Sequence, residues 1–562
     1  MGPTTAYLAL LRLPVAVTNS IAVAIAYPLL CRLVGARVAL LAALMLATSP
    51  FLIGFSRVLH VDGLLTSFSM LSILLLLVAT NEGRRMDGGD GAADRAPVVG
   101  RWWLVGSGVC AGLAALSKAP ALVLLPWAGL LLLFTIGGAE WRRSRTSTAP
   151  ARWAPAIGRV IGLYLLWLGC AVLMFFALWP AMWVAPLDTF ADVVREIFLN
   201  GGEPHAAGNY FLGEAVPDPG WRFYPVAALL RSTPVMLPGL LALPFAFWGP
   251  GSRAPERRVA LALLSFAVLF TVAVSFAAKK FDRYMLPAWP ALEIAAAIGL
   301  AGLGRWVTGF LGRSTRRAPA RWPDVAAILA IGALLFAIDM WYHPYEIAYY
   351  NPLLGGGATA ERIILVGWGE GLEDVGAWLR QRPDLERAPV LSWIPPTLSP
   401  FLPRSVQVLD IREETVALRS PAPLYAVLYT RAAARAEAHG PEVYIRQTPP
   451  LFTVRKYGIT YATVHQLPRP YDTAVNALFG DGLALRGYGE QRIAGTLTIS
   501  PSWDVRRDQP GGLNVFVHVL AADGRRVAQV DAPIDDGLYP TWQAGQQFGT
   551  PLPIALPRDL PA

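Results

Sequence analysis

Ten mostly apolar runs, most of them long enough to cross a bilayer, fill the first 341 positions: 14–31, 38–55, 63–80, 102–117, 119–138, 157–180, 224–248, 259–277, 285–304 and 323–341. The second and fourth are the weakest. Beyond 341 the pattern changes. Polar residues return and the apolar runs shorten to strand length. Val390–Trp393, Leu424–Thr430 and Leu451–Val454 read as buried strands, with helices over 372–383 and 431–438. Leu513–Leu520 alternates, Asp523-Gly524 supplies a hairpin turn, Arg526–Asp531 returns, and Gly495–Ser500 adds a strand. The expected fold is a polytopic α-helical membrane protein of about ten transmembrane helices with a C-terminal extracytoplasmic region. Its divisions are a membrane domain over 1–341, an α/β region over 342–470 and a β-sandwich-like region over 471–562. That last region offers few strands with which to close a sandwich.

Composition sharpens this reading. Only 15% of the 562 residues are charged and 54% are hydrophobic, with mean hydropathy +0.43, against about 25% charged in soluble chains. An ordinary cytosolic enzyme and a disordered chain are excluded. The net charge of +9 could suggest nucleic acid, but arginines flanking apolar runs are a membrane protein's charge. Alternate loops carry 19 and 8 basic residues, so the richer set is expected in the cytoplasm. Residues 342–562 then lie outside the cell membrane. A chain that starts outside with an apolar run also suggests a preceding helix and outer loop upstream of Met1. The three cysteines lie in apolar stretches before residue 171, so the outer region must fold by packing.

Four polar clusters fall on the predicted outer edge. Arg57, His60 and Asp62 share a short loop between two spans, where charge next to hydrocarbon is costly. They suit a phosphate or sugar hydroxyl; the plainer reading makes Asp62 a helix cap and lets Arg57 snorkel. Lys118 stands at the abrupt Ser117-Lys118-Ala119-Pro120 turn, and three of the chain's four lysines sit on this edge. The long loop 181–223 holds Glu203, His205 and Asn209 among glycines and aromatics. Glu203 and His205 are a two-ligand candidate for a divalent metal, a weak signal. Lys279, Lys280, Arg283 and Tyr284 enter a late span. Cations placed against the topological bias ask for an anion, such as a lipid-linked phosphate or a lipid headgroup.

The segments "ATSPFLIGFSRVLHVDGLLTSFSMLSILLLL", "GLAALSKAPALVLLP", "GGEPHAAGNYFLG…FYPVAALLRSTP" and "KKFDRYMLPAWPAL" resemble glycosyltransferase family 39. These are the phospholipid carrier-dependent glycosyltransferases, a group that includes protein O-mannosyltransferases and aminoarabinose transferases. "HPYEIAYYNPLLGGGATAERIILVGWGEGLEDVGAWL" resembles the lead into the outer domain of bacterial members. The resemblance implies a GT-C membrane fold and inverting transfer of a sugar from a polyprenyl-phosphate donor on the extracytoplasmic face. It sets Asp62 on the family's acidic position, Lys118 on the lysine of its L-[ST]-K-x-P turn, and Lys280 and Arg283 on its cationic late-span entry. His205 falls where some relatives place a metal-binding histidine. The family's general base, an aspartate of the first outer loop, has no counterpart here, so the catalytic base is unassigned and expected on an outer loop not in this chain.

The function expected is therefore membrane glycosyl transfer. Its partners are a polyprenyl-phosphate-linked sugar, a lipid, glycan or protein acceptor, and membrane lipid, with no nucleic acid. No cofactor is assigned beyond the candidate metal. A transporter or flippase for lipid-linked sugars is the alternative, for which Glu293 and Asp339 are the clearest acids in or near late spans. A non-catalytic binding protein is the third reading.

Overall fold

A computed structural model of the chain describes residues 5–86, 99–146, 153–202, 209–249, 251–315, 322–412, 420, 422–433, 443, 445–446, 448–493 and 495–557. It divides into two compact units, Thr5–Leu212 with Val216–Ile364, and Gly213–Ala215 with Leu365–Ala562.

The first unit is helical. Its elements are α1 (Thr5–Val34), α2 (Ala36–Ala47), α3 (Pro50–Ser56), α4 (Val61–Met86), α5 (Arg101–Ser117), α6 (Leu124–Thr146), α7 (Trp153–Leu178), α8 (Ala181–Val184) and α9 (Pro186–Gly202). There follow α10 (Phe223–Arg231), α11 (Met236–Leu241), α12 (Leu243–Trp248), α13 (Ala254–Ser275), α14 (Trp289–Thr315), α15 (Trp322–Tyr342) and α16 (Gly356–Ile363). Among the described residues seven helices are long and apolar enough to cross a membrane, and two bent pairs raise the number to nine. The bends are 54° between α2 and α3 and 116° between α10 and α11–α12. All ten apolar runs are helical. The fourth, α5, has 17 residues and is about 26 Å long at 1.5 Å per residue, short of the roughly 30 Å hydrocarbon core. Among the described residues α5 is thus the one apolar run left out of that count. The protein is a multi-pass α-helical membrane protein.

Helices α4 and α14 are the buried ones, whereas α1, α7 and α15 face outward along most of their length. Small residues let backbones meet. A Cβ on Gly108 would lie 2.5 Å from Trp167 O, and one on Gly112 2.5 Å from Ala171 O, so α5 packs directly on α7. Some polar groups inside this unit pair across helices. Ser72 and Ser107 exchange hydroxyl-to-carbonyl bonds, and Trp167 Nε1 donates to Ser107 Oγ at 3.0 Å.

Residues 181–223, expected as a loop, contain the 17-residue amphipathic helix α9 and the short strands β1 (Asn209–Phe211) and β2 (Glu214–Val216). Proline and glycine around the segment hid its helical period. Residues 343–364 belong to the first unit.

In the second unit, helix α17 (Leu372–Leu379) packs on a five-stranded sheet. Its strands are β3 (Val390–Ser392), β4 (Val408–Asp410), β5 (Leu424–Tyr429), β6 (Phe452–Lys456) and β7 (Ile459–Leu467), in the order β4-β3-β5-β7-β6. The pairs β4/β3 and β3/β5 are parallel, and β7 and β6 are antiparallel additions. Strand β5 is buried at every position, which is why its sequence is an unbroken apolar run. The rest is antiparallel: β8 (Thr473–Phe479), β9 (Leu483–Ile493) and β10 (Thr496–Val505) pair in sequence, and Leu552–Ala555 and Gln547–Phe548 also pair with β10. A hairpin joins Asn514–Leu520 to Arg526–Pro533 through Asp523-Gly524, as the alternation predicts, with Gly524 at φ 81°. Trp503, Trp542 and Phe548 centre this core.

Candidate functional site

Four residues, 57–60, connect α3 to α4 and place an acid at a helix start. Asp62 sits in the first turn of α4 and is 1% exposed. A carboxylate there complements the helix dipole, but its oxygens are not spent on capping. Oδ1 accepts from Lys118 Nζ at 2.8 Å and Oδ2 lies 3.1 Å from Arg283 Nε. His60 Nδ1 lies 3.2 Å from both Asp62 N and Asp62 Oδ2, so it can accept from the first or donate to the second. Desolvation lowers the His60 pKa; the attraction of Asp62 opposes this, and Arg283 and Lys118 reinforce it. The imidazole is therefore neutral at pH 7.

Lys118 reaches Asp62 because the chain is extended there, at φ −167° and ψ 146°, between the end of α5 and the 3-10 turn Ala119–Val123. Its ammonium lies 4.4 Å from the Tyr284 ring centroid, and the Arg283 guanidinium lies 4.3 Å from that of Phe281. Arg283 and Tyr284 belong to the 3-10 segment Asp282–Ala288 that leads into α14. Two cations thus share one carboxylate, and Lys118 keeps 27% of its side chain exposed.

Arg283 is held from behind by Asp282. Asp282 Oδ1 accepts the Arg283 backbone N–H at 2.8 Å, and Oδ2 accepts from Arg231 Nε at 2.8 Å and faces Arg231 Nη2 at 2.6 Å. Arg231, 2% exposed at the end of α10, also donates to Ile347 O, Tyr349 O and Tyr350 OH. One buried guanidinium therefore joins α10, the entry to α14 and the 346–350 segment.

The other candidates go elsewhere. Arg57 pairs with buried Glu346 at 2.5 Å, and His343 Nδ1 lies 2.7 Å from the same carboxylate. Lys280, expected beside Arg283 at the cluster, is turned away: its Nζ donates to Asp218 at 2.6 Å and to Ala277 O at 2.5 Å. Desolvation raises the Asp218 pKa, but the Lys280 and Gly220 hydrogen bonds and the Lys280 charge outweigh it and hold the carboxyl below its usual range. Asn209 is a brace, accepting from Lys280 N and donating to Pro217 O and Ala278 O. Lys279 is half-buried and has no ion pair among the described residues. Glu203 and His205 lie outside the described residues. Among the described residues, no three His, Cys, Asp or Glu side chains are placed to hold a metal.

Sequence reasoning gave no role to Arg231, Asp282, Asp218 or Glu346. Asp282 and Glu346 stood inside motifs of the resemblance, and an arginine in an apolar run was the available signal for Arg231.

Beside the first turns of α4 a cavity of about 360 Å³ is lined by apolar side chains of α1, α2 and α4 and by Asn19, Thr66 and Ser67, with Arg57 at its edge. Ser67 donates to Asn19 Oδ1 at 2.8 Å, while buried Asn19 Nδ2 has no hydrogen-bond partner among the described residues.

These features define a polytopic membrane protein with a cation-rich cluster at the ends of several spans. Residues 8–88 match the family model described as dolichyl-phosphate-mannose-protein mannosyltransferase. The match includes Asp62 and bears out the resemblance to glycosyltransferase family 39 over that stretch. No curated protein matches the chain. Among solved structures, ArnT from Cupriavidus metallidurans is similar in the apo state at 17% identity and TM-score 0.38, covering 81% of this chain and 83% of that one. The same protein bound to undecaprenyl phosphate gives 17%, TM-score 0.36 and the same coverage. The archaeal oligosaccharyltransferase AglB from Archaeoglobus fulgidus, in complex with an inhibitory peptide and a dolichol-phosphate, gives 14% and 0.38, covering 81% of this chain and 63% of that one.

Proposed function

We propose that the protein is a membrane glycosyltransferase that takes a sugar from a polyprenyl-phosphate donor and passes it to an acceptor hydroxyl on the extracytoplasmic face. The observation that carries this reading is Asp62 shared by Lys118 and Arg283. One carboxylate against two cations leaves a net positive charge, and the partly exposed ammonium is free to turn toward a phosphate oxygen. Lysine and arginine bond phosphate through charge-assisted contacts. The mostly apolar cavity beside α4 suits the prenyl chain, with Arg57 and His60 near the headgroup.

In the reaction the acceptor oxygen attacks the sugar C1 as the C1–O bond to phosphate breaks, with inversion. The acceptor's proton passes to a general base and from it to water, and the bonding electrons go to the departing phosphate. Lys118 and Arg283 stabilise that developing charge. Asp62 fixes the two cations before substrate arrives, and Tyr284 gives Lys118 an aromatic face. Asp62 is occupied by both cations and is not the base. The orientation in this reading rests on the excess of arginine in the alternate loops.

Transfer of label from a panel of polyprenyl-phosphate sugars in reconstituted membranes tests the proposal. Formation of a labelled product that depends on Lys118 and Arg283 supports it. Movement of intact labelled donor between leaflets, with no transfer to any acceptor or to water, favours the flippase reading instead.

A further inference from the structure

A second cavity, of about 280 Å³, opens in the second unit where the residues just before β5 meet the antiparallel strands. Asp384, Arg387, Asp535, Asp536, Tyr539 and Phe548 are among its walls. Its chemistry differs from that of the cluster around Asp62. Asp384 Oδ1 accepts from two phenols, Tyr425 OH at 2.8 Å and Tyr539 OH at 2.7 Å. Burial, then the Asp384 charge, pushes both phenols up, so they remain protonated donors. Asp384 Oδ2 has no hydrogen bond to any described residue.

The other two acids are accounted for. Asp535 is buried and fully used: Oδ1 accepts from Gly537 N, and Oδ2 from Tyr539 N and Trp542 Nε1. Asp536 is paired at the rim with Arg387 at 2.7 Å. The cavity therefore offers one open carboxylate oxygen, a guanidinium at the mouth, and the rings of Tyr539 and Phe548, whose centroids are 6.2 Å apart.

Three carboxylates against one guanidinium repel an anion, so this is no second phosphate site. A small pocket with aromatic walls and a few fixed polar groups is a ligand site in kind. A vicinal hydroxyl pair can donate to Asp384 and accept from Arg387, while the C–H face of a sugar ring lies against an aromatic ring.

We propose that this cavity binds a neutral sugar unit. The site stands apart from the transfer chemistry and does not depend on it.

The test is saturation-transfer NMR on the detergent-solubilised full chain, using methyl glycosides of neutral hexoses and N-acetylhexosamines. Choline and inorganic phosphate serve as cationic and anionic comparators. At least one glycoside is expected to bind saturably. Asp384→Asn is expected to weaken it about tenfold, the loss of one charge-assisted hydrogen bond. Should that variant misfold, Arg387→Ala, at an exposed position, makes the same test. The Lys118→Ala/Arg283→Ala variant is expected to bind the glycoside as the parent does, which separates this site from the donor site. Failure of every glycoside to bind, binding unchanged by the cavity variant, or choline or phosphate binding more tightly than every glycoside would overturn the proposal.

Discussion

Lys118 Nζ donates to Asp62 Oδ1 at 2.8 Å although 56 positions separate them. With Arg283 on the other oxygen, the carboxylate keeps two cations from repelling one another in a poorly hydrated place. Asp62→Asn removes that compensation, and breaking a buried pair costs roughly 3–5 kcal/mol. Thermal unfolding in detergent should fall accordingly. Asp62→Asn/Lys118→Met should recover part of the loss, since only one cation then remains. Equal stability of parent and Asp62→Asn would refute the pairing.

Arg231 is a structural device rather than a substrate ligand. Its partners are Asp282, two carbonyls and the Tyr350 hydroxyl. Arg231→Met should destabilise the membrane unit by about 3 kcal/mol or more, leaving Asp282 as a buried unpaired acid. Arg231→Lys should not restore it, because an ammonium lacks the planar fork that reaches these acceptors together. Recovery of parental unfolding by Arg231→Lys would contradict this.

His465 gives the second unit a pH dependence. It is buried on β7, with Nε2 3.0 Å from Thr463 Oγ1, and desolvation lowers its pKa to about 4. The unfolded chain, with an ordinary histidine near 6.5, takes up the proton first. Stability is therefore complete above about pH 6.5 and declines as pH falls toward 4, by roughly 3 kcal/mol at most. Protection of the β5 and β7 amides, relative to their intrinsic exchange rates, should fall between pH 7 and 5. In His465→Gln that loss of protection should vanish; its persistence would assign the effect elsewhere.

Topology follows from the arginine bias. A cysteine placed at position 210 should label with an impermeant reagent on intact cells, and one at 315 should not. The reverse pattern would invert the orientation.

The membrane unit was legible because apolar length is a strong signal: every predicted run is helical. What the runs could not show was continuity. The breaks after Ala47 and Arg231 split two runs into bent pairs, and periodicity does not record an angle. Around the site, Asp62, Lys118 and Arg283 stood out as charges beside hydrocarbon. Lys280 looked the same in sequence, yet Asp218, an acid in a distant loop, takes it. Arg231 passed as one more basic residue, because its four partners come from segments far apart in the chain. In the second unit, buried β5 and the Asp523-Gly524 hairpin were visible as patterns. Strands β8 and β9 were hidden by glycines and exposed residues that break alternation.

The most direct measurement is binding of a polyprenyl-phosphate sugar to the full chain in nanodiscs, compared with Lys118→Ala/Arg283→Ala. Each charge-assisted contact to phosphate contributes about 1.5–3 kcal/mol, so the double variant should bind at least a hundredfold more weakly. Raising salt should weaken the parent more than the variant. Equal donor affinity in the two proteins would contradict the central claim that these cations hold the lipid phosphate.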